Sequence, residues 1–244
     1  MMYLRATIFY AFFIVYTTLY SLSCFVVNPF LSTASRYDYV RGWSKGVIQA
    51  LRFICGVRYS VIGMENVTAS LDKPVILMSK HQSAWETIAY ISLFPKQLCY
   101  VFKKELLMIP FFGWAMAMLK MIHIDRSKKD KAAIAVASQG KLRLSEGYWI
   151  IIYPEGTRAP VGQEIPYQKG GARLAVDTKA FVIPVAHNAG HCWPKNSFIK
   201  YPGEITISIG PCITTLDKNP SVVIREVQSW IETEMRRIDA KSYL

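Results

Sequence analysis

Acidic residues are scarce in this 244-residue chain: 17 Asp and Glu stand against 29 Lys and Arg, a formal net charge of +12. Such a balance favours anionic partners. Cysteine is sparse as well. The five, at positions 24, 55, 99, 192 and 212, form no zinc ligand set and no disulfide framework, which argues against a stapled secreted scaffold and for a reducing compartment. No linker rich in Pro, Gly or Ser and no internal repeat divides the chain. One sizeable α/β domain with an N-terminal appendage is the simplest organisation. A G-x-S-x-G nucleophile elbow is missing, which disfavours a serine hydrolase. Zinc-finger, RNA-binding aromatic and arginine-rich patterns are missing too, so the positive charge is not read as meant for nucleic acid.

Apolar residues, by contrast, make up 52% of the chain. Residues 6–27 carry no charge and, as a helix rising ~1.5 Å per residue, approach bilayer thickness. The flanks do not fit a cleaved signal, because the positive n-region is weak and Ser21-Leu22-Ser23-Cys24 is a poor cleavage site. A retained membrane-crossing helix is therefore expected. Arg5 alone precedes it, whereas Arg36, Arg41, Lys45 and Arg52 follow, so the positive-inside rule puts the larger domain on the cytoplasmic face of an inner membrane. Residues 37–55 mix Val40, Val47, Ile48 and Leu51 with basic residues. They fit an interfacial amphipathic helix and a helix packed on the domain equally well. Basic charge beside apolar segments favours anionic membrane lipids as partners. The chain thus divides into a membrane-associated helical segment, 1–55, and a larger domain, 56–244.

Beyond residue 56, short runs rich in Val, Ile and aromatics alternate with stretches of helical period, the pattern of βα units around a buried sheet. Strands are expected at 58–62, 75–79, 98–102, 121–124, 149–153, 181–186 and 205–209. Helices are expected at 84–93, 128–145, 170–178 and 220–238.

Within this frame, Lys80-His81-Gln82-Ser83-Ala84-Trp85-Glu86 follows a strand and opens a helix, with Ser83 placed as an N-cap. A neutral imidazole can take a hydroxyl proton while a carboxylate fixes its tautomer. Five residues apart on one helix the two would diverge, so His81 is expected in the turn and Glu86 in the first helical turn. Downstream, Tyr153-Pro154-Glu155-Gly156-Thr157-Arg158 follows another strand and ends in a guanidinium, whose planar fork suits a phosphate. Glu155 is expected to anchor this loop and Gly156 to permit its tight turn.

Read in order, His81 to Glu86, residues 101–114 (VFKKELLMIPFFGW), Tyr153 to Arg158 and Val182-Ile183-Pro184-Val185 resemble the four blocks of the glycerolipid acyltransferases, most closely those acting on 1-acyl-sn-glycerol 3-phosphate. The resemblance covers roughly residues 75–190. Two positions depart from the family pattern: Glu86 stands where the first block usually has Asp, and Tyr153 where the third commonly has Phe. Glutamate keeps the carboxylate on a stem one methylene longer.

The resemblance implies that an acyl thioester, of coenzyme A or acyl carrier protein, donates to the sn-2 hydroxyl of lysophosphatidate, with no cofactor. It implies His81 as general base, Glu86 as its orienting partner, and Lys103, Lys104, Glu155, Gly156, Thr157 and Arg158 in acceptor binding, with one lysine of the pair expected to be solvated. Backbone N–H groups at the start of the helix after Ala84 are candidate oxyanion donors. Asp125-Arg126 reads as a surface ion pair or a further positive contact, and Lys169-Gly170-Gly171 as a structural or phosphate-tolerant turn. His123, His187 and His191 lack accompanying ligands, so no metal is expected. Phe111, Phe112, Trp114, Met116 and Met118 line either an acyl groove or ordinary core. Two other readings are a noncatalytic protein holding anionic lipid, and an acyltransferase for another lysolipid or glycerol 3-phosphate.

Overall fold

Among the described residues, seven strands form a sheet in the order β1-β7-β6-β2-β5-β3-β4. The structure, a computed structural model, describes residues 1–108, 113, 119–124 and 129–243. The strands are β1 (Val57–Ile62), β2 (Val75–Ser79), β3 (Leu98–Lys103), β4 (Ile122–Ile124), β5 (Trp149–Ile152), β6 (Phe181–His187) and β7 (Gly203–Ile209). All neighbours pair in parallel except β6 and β7. The helices after β1 are α3 (Met64–Thr68), α4 (Trp85–Leu93), α5 (Lys129–Ser145), α6 (Gly170–Thr178) and α7 (Pro220–Ile238).

Strand β2 shows why the apolar runs could be read as strands. All five of its residues are buried, and successive side chains enter different cores. Val75 and Leu77 join Trp85, Ile88 and Tyr90 on one face, whereas Ile76 and Met78 join Leu174, Val227 and Ile231 on the other. The register aligns Met78 with Ile152, the last residue of β5, and with Pro184 of β6, which runs on to His187. The loops after these three strands leave from the same carboxyl edge, the usual place for a ligand crevice in an open α/β sheet.

The N-terminal segment is a helical hairpin, α1 (Met2–Val27) and α2 (Thr33–Ala50), continued by a π-helical turn at Leu51–Cys55. Gly42 and Gly46, four apart on α2, let α1 come close: a Cβ at Gly46 would meet Tyr16 Cε1 at 2.9 Å. Trp43 Nε1 donates to Thr17 Oγ1 at 3.1 Å across the same seam. Helix α2 is packed on the domain, where Ser44 Oγ donates to the Ile88 carbonyl and Tyr37 Oη accepts from the Leu98 N–H. Of the two readings left open for residues 37–55, the packed helix is the observed one.

Helix α1 is long and apolar enough, by length and composition, to cross a membrane, and it also meets the domain. The first turns of α1 dock on the domain itself: Phe9 is buried edge-on against Trp193, and Tyr10 stacks on Phe198 with ring centroids 5.0 Å apart. Lys200 Nζ donates to Tyr10 Oη and lies 4.6 Å from the centre of that ring. Burying a side chain such as Phe9 contributes about 1.5–3 kcal/mol. Helix α1 is thus held near its N-terminus by the domain that follows it. Its apolar character remains, with Ile8, Val15, Leu19, Leu22 and Val26 all exposed. Phe9, Tyr37, Val47 and Leu51 share one core with β2 and α4, so the division at residue 55 is one of composition across which packing is continuous.

Candidate active site

The segment leaving β2 has its backbone fixed residue by residue. Lys80 N–H donates to the Val185 carbonyl and Lys80 O accepts from His187 Nε2 at 2.8 Å. His81 N–H donates to Glu155 Oε2 at 2.7 Å, and His81 O accepts from the Ala159 N–H at 2.7 Å. Gln82 and Ser83 N–H both donate to Glu86 Oε1, at 3.1 and 2.9 Å. With its backbone groups satisfied by protein, the loop can be buried without the cost of orphaned polar groups.

On this platform His81 Nδ1 lies 2.7 Å from Glu86 Oε1. A carboxylate there requires the proton on Nδ1, which presents Nε2 as the acceptor. The acid residue does a second task. Ser83 Oγ accepts from the Trp85 N–H at 3.0 Å while Glu86 reaches back to Ser83, a reciprocal arrangement of the capping-box kind with Ala84 at the N-cap. Glu86 is fully buried. Burial works to raise its carboxyl, but His187, His81 and the Ser83 N–H outweigh it and hold the group below its ordinary value. Tyr153 stacks on the imidazole, ring centroids 4.1 Å apart and planes 21° apart, fixing the ring against rotation.

Of the backbone N–H groups near the start of α4, those of Gln82, Ser83 and Trp85 bond within the loop. Glu155 anchors its loop as expected, and through both oxygens: Oε2 takes the His81 N–H and Oε1 pairs with Lys80 Nζ at 2.8 Å. It is buried, and burial pushes its carboxyl above the ordinary value against the pull of Lys80. Gly156 sits at φ 69°, the left-handed region that favours glycine.

His81 opens onto a cavity of about 970 Å³. Its apolar wall combines Tyr20 and Cys24 of α1, Val40 and Trp43 of α2, Ile88 and Ile91 of α4, and Tyr100 and Phe102 of β3. Its charged lining residues are Arg158, Lys169 and Arg173, with Asp177 the acidic member. Arg158 is half-buried and donates to Asn196 Oδ1 at 3.3 Å. A histidine–carboxylate pair, an apolar lining and these cations thus share one space.

A model of the family described as acyltransferase matches residues 58–188. A 1-acyl-sn-glycerol-3-phosphate acyltransferase of Pseudomonas aeruginosa is 40% identical over 96% of this chain and 91% of its own length. The chain belongs to the acyltransferase family. The beta form of the human 1-acyl-sn-glycerol-3-phosphate acyltransferase is 25% identical to this acyltransferase, over 86% of this chain and 76% of its own. The crystal structure of the 1-acyl-sn-glycerophosphate acyltransferase PlsC of Thermotoga maritima superposes with a TM-score of 0.80 at 22% identity, over 98% of both chains. That likeness establishes a common fold.

The remaining expected residues of the acyltransferase are distributed unevenly. Lys104 is exposed at the start of a 3-10 turn and is not among the residues lining the cavity, whereas the side chain of Lys103 lies outside the described residues. Asp125 and Arg126, and Phe111, Phe112, Trp114, Met116 and Met118, lie outside them as well. Thr157 is exposed and accepts from Lys195 Nζ at 3.4 Å. His123 is exposed on β4. His187 and His191 part company: the first is buried beneath the Lys80 carbonyl, and the second is exposed with Nε2 2.8 Å from Asp239. Lys169, read as part of a turn, lines the cavity, and Arg173 joins it one helical turn on. The i, i+4 spacing of these two cations was the available signal.

Proposed function

We propose that the protein transfers a fatty acyl group from a thioester to the sn-2 hydroxyl of lysophosphatidate, giving phosphatidate, with His81 as general base. The observation that carries this reading is the placement of His81, paired to Glu86 at 2.7 Å, on a cavity whose lining is largely apolar and includes Arg158, Lys169 and Arg173. The relatives' names give the acceptor, and these cations supply the positive charge its phosphate needs.

In this mechanism the acceptor hydroxyl lies against His81 Nε2. Its oxygen attacks the thioester carbonyl as the proton passes to the imidazole, and Glu86 stabilises the imidazolium. The tetrahedral intermediate collapses with cleavage of the C–S bond, and the imidazolium returns the proton to the departing thiolate. Atoms and charge balance without a cofactor or a covalent acyl-enzyme. The donor is an anionic thioester, of coenzyme A or acyl carrier protein, drawn by the net charge of +12. Residues 1–55 form the part associated with anionic lipid of the cytoplasmic leaflet of the inner membrane, and 56–244 the acyltransferase domain.

The test is phosphatidate formation by purified protein given lysophosphatidate and an acyl thioester. His81→Ala abolishes it, and Arg158→Ala raises KM for lysophosphatidate while leaving neutral acceptors unaffected. Normal turnover in the His81 variant rejects the base, and lipid binding without any acylation rejects the enzyme in favour of a lipid-holding protein.

A further inference from the structure

A buried ion cluster sits behind the catalytic loop, and the chemistry above makes no use of it. Lys80, next to His81, is wholly buried. Its ammonium lies between two carboxylates, Glu155 Oε1 at 2.8 Å and Glu232 Oε1 at 2.9 Å. Glu232, itself buried, belongs to α7, 152 residues downstream. Tyr167 Oη donates to the same Glu232 oxygen at 2.8 Å. Tyr243, beyond the end of α7, places its ring 5.7 Å from Lys80 Nζ and its hydroxyl 3.2 Å from Gln82 Nε2, which donates to it. One lysine between two carboxylates in a desolvated site ties the three groups together, because withdrawing the lysine leaves two buried carboxylates uncompensated.

We propose that Lys80 and Glu232 are positioning residues for the acyl transfer. Through them the C-terminal helix holds Glu155, and Glu155 in turn holds the His81 backbone. The route is continuous: α7 presents Glu232, Glu232 fixes Lys80 Nζ, Lys80 fixes Glu155 Oε1, and Glu155 Oε2 accepts the His81 N–H at 2.7 Å. Glu86 sets the imidazole from the front, while this chain of contacts sets the backbone from behind. Small displacements of a general base are costly because proton transfer requires a close, aligned approach. Loss of the cluster therefore acts on turnover, while acceptor affinity, governed by the cations of the cavity lining, stays unchanged. The inference rests on His81 being the base.

The experiment compares wild type with Glu232→Gln, Tyr167→Phe, Lys80→Met and the Lys80→Met/Glu232→Gln pair. Glu232→Gln is expected to lower kcat about tenfold, a barrier change of about 1.4 kcal/mol, with KM for lysophosphatidate unchanged. Tyr167→Phe lowers kcat less. Lys80→Met lowers it more, and the double variant recovers part of that loss because one of the two uncompensated carboxylates is gone. An unaltered kcat in Glu232→Gln, a change confined to KM, or a double variant no better than Lys80→Met overturns the proposal. Hydrogen exchange of the peptide spanning residues 79–84 gives a readout independent of substrate. It is expected to quicken in Glu232→Gln, and an unchanged rate overturns the clamp. If wild type acylates no lysophosphatidate, the substrate assignment fails and hydrogen exchange still decides the clamp.

Discussion

Glu86 Oε1 accepts from three groups at once, His81 Nδ1 and the N–H groups of Gln82 and Ser83, at 2.7, 3.1 and 2.9 Å. A carboxylate in the first turn of a helix meets a turn residue five positions earlier only by reaching back over the helix N-terminus. In this chain the glutamate stem spans that gap. The oxygen that orients the imidazole is therefore also the one that secures the start of α4.

Shortening this stem should uncouple the two tasks. Glu86→Asp is expected to lose the His81 contact and about tenfold or more in kcat, with KM little changed. Glu86→Gln keeps the length but offers no charge to the imidazolium, and its loss should approach the full ~10²–10⁴ of general-base assistance. Steady-state kinetics on both variants, with thermal melts to confirm folding, checks this. Equal activity of all three proteins would remove Glu86 from the mechanism.

His187 accepts from the Ala189 N–H through Nδ1, so its Nε2 carries the proton given to the Lys80 carbonyl. Burial holds the imidazole below its ordinary value, consistent with a neutral ring. Replacing it with Ala leaves the Ser79 hydroxyl as the carbonyl's remaining donor and takes the acceptor from the Ala189 N–H, at a cost of about 1–3 kcal/mol. A lowered melting temperature together with reduced kcat is expected for His187→Ala, read by calorimetry and turnover.

Gly46 lies against the ring of Tyr16, where a larger residue has no room. Gly46→Val should push α1 off α2, open one wall of the cavity and reduce acylation, with a shift in acyl-chain preference. Gly147, around which a Cβ would meet nothing within 4 Å, offers the control site, although its φ of 83° makes some strain unavoidable. Donor-length profiles of Gly46→Val and Gly147→Asn should therefore differ.

Lys200 predicts a pH effect on the docking of α1. Burial pushes its ammonium from 10.5 down to about 8, with the Cys55 thiol opposing. Between those values the unfolded chain keeps a proton that the folded one has released, so stability rises with pH across the window. The melting temperature of wild type relative to Lys200→Met should increase from about pH 7.5 to about pH 10. A constant difference would show that Lys200 does not titrate in this range.

Strands and main helices were readable because β2, β5 and β6 are buried on both faces and their apolar runs end in turn residues. Helices 170–178 and 220–238 coincide with α6 and α7. The placement of His81 in the turn and Glu86 in the first helical turn was readable from local spacing, whereas their contact was not, because it depends on how the glutamate stem folds back. Hydropathy did not reveal the docking of α1, since an exposed Ile8 beside a buried Phe9 looks the same whether lipid or Trp193 covers the helix. Nor was the Lys80–Glu232 pair readable, because a contact across 152 residues leaves no local periodicity. The five-residue α3 is too short to show a helical period at all.

Helix α1 turns Tyr20 and Cys24 to the cavity while Val15, Leu19, Leu22 and Val26 face outward. A micelle formed around that outer face grips the wall of the reaction chamber itself. Kinetic constants for this protein should therefore follow the amphiphile used to extract it. Surface concentration of substrate per mole of detergent, rather than bulk molarity, is the variable against which turnover should be plotted.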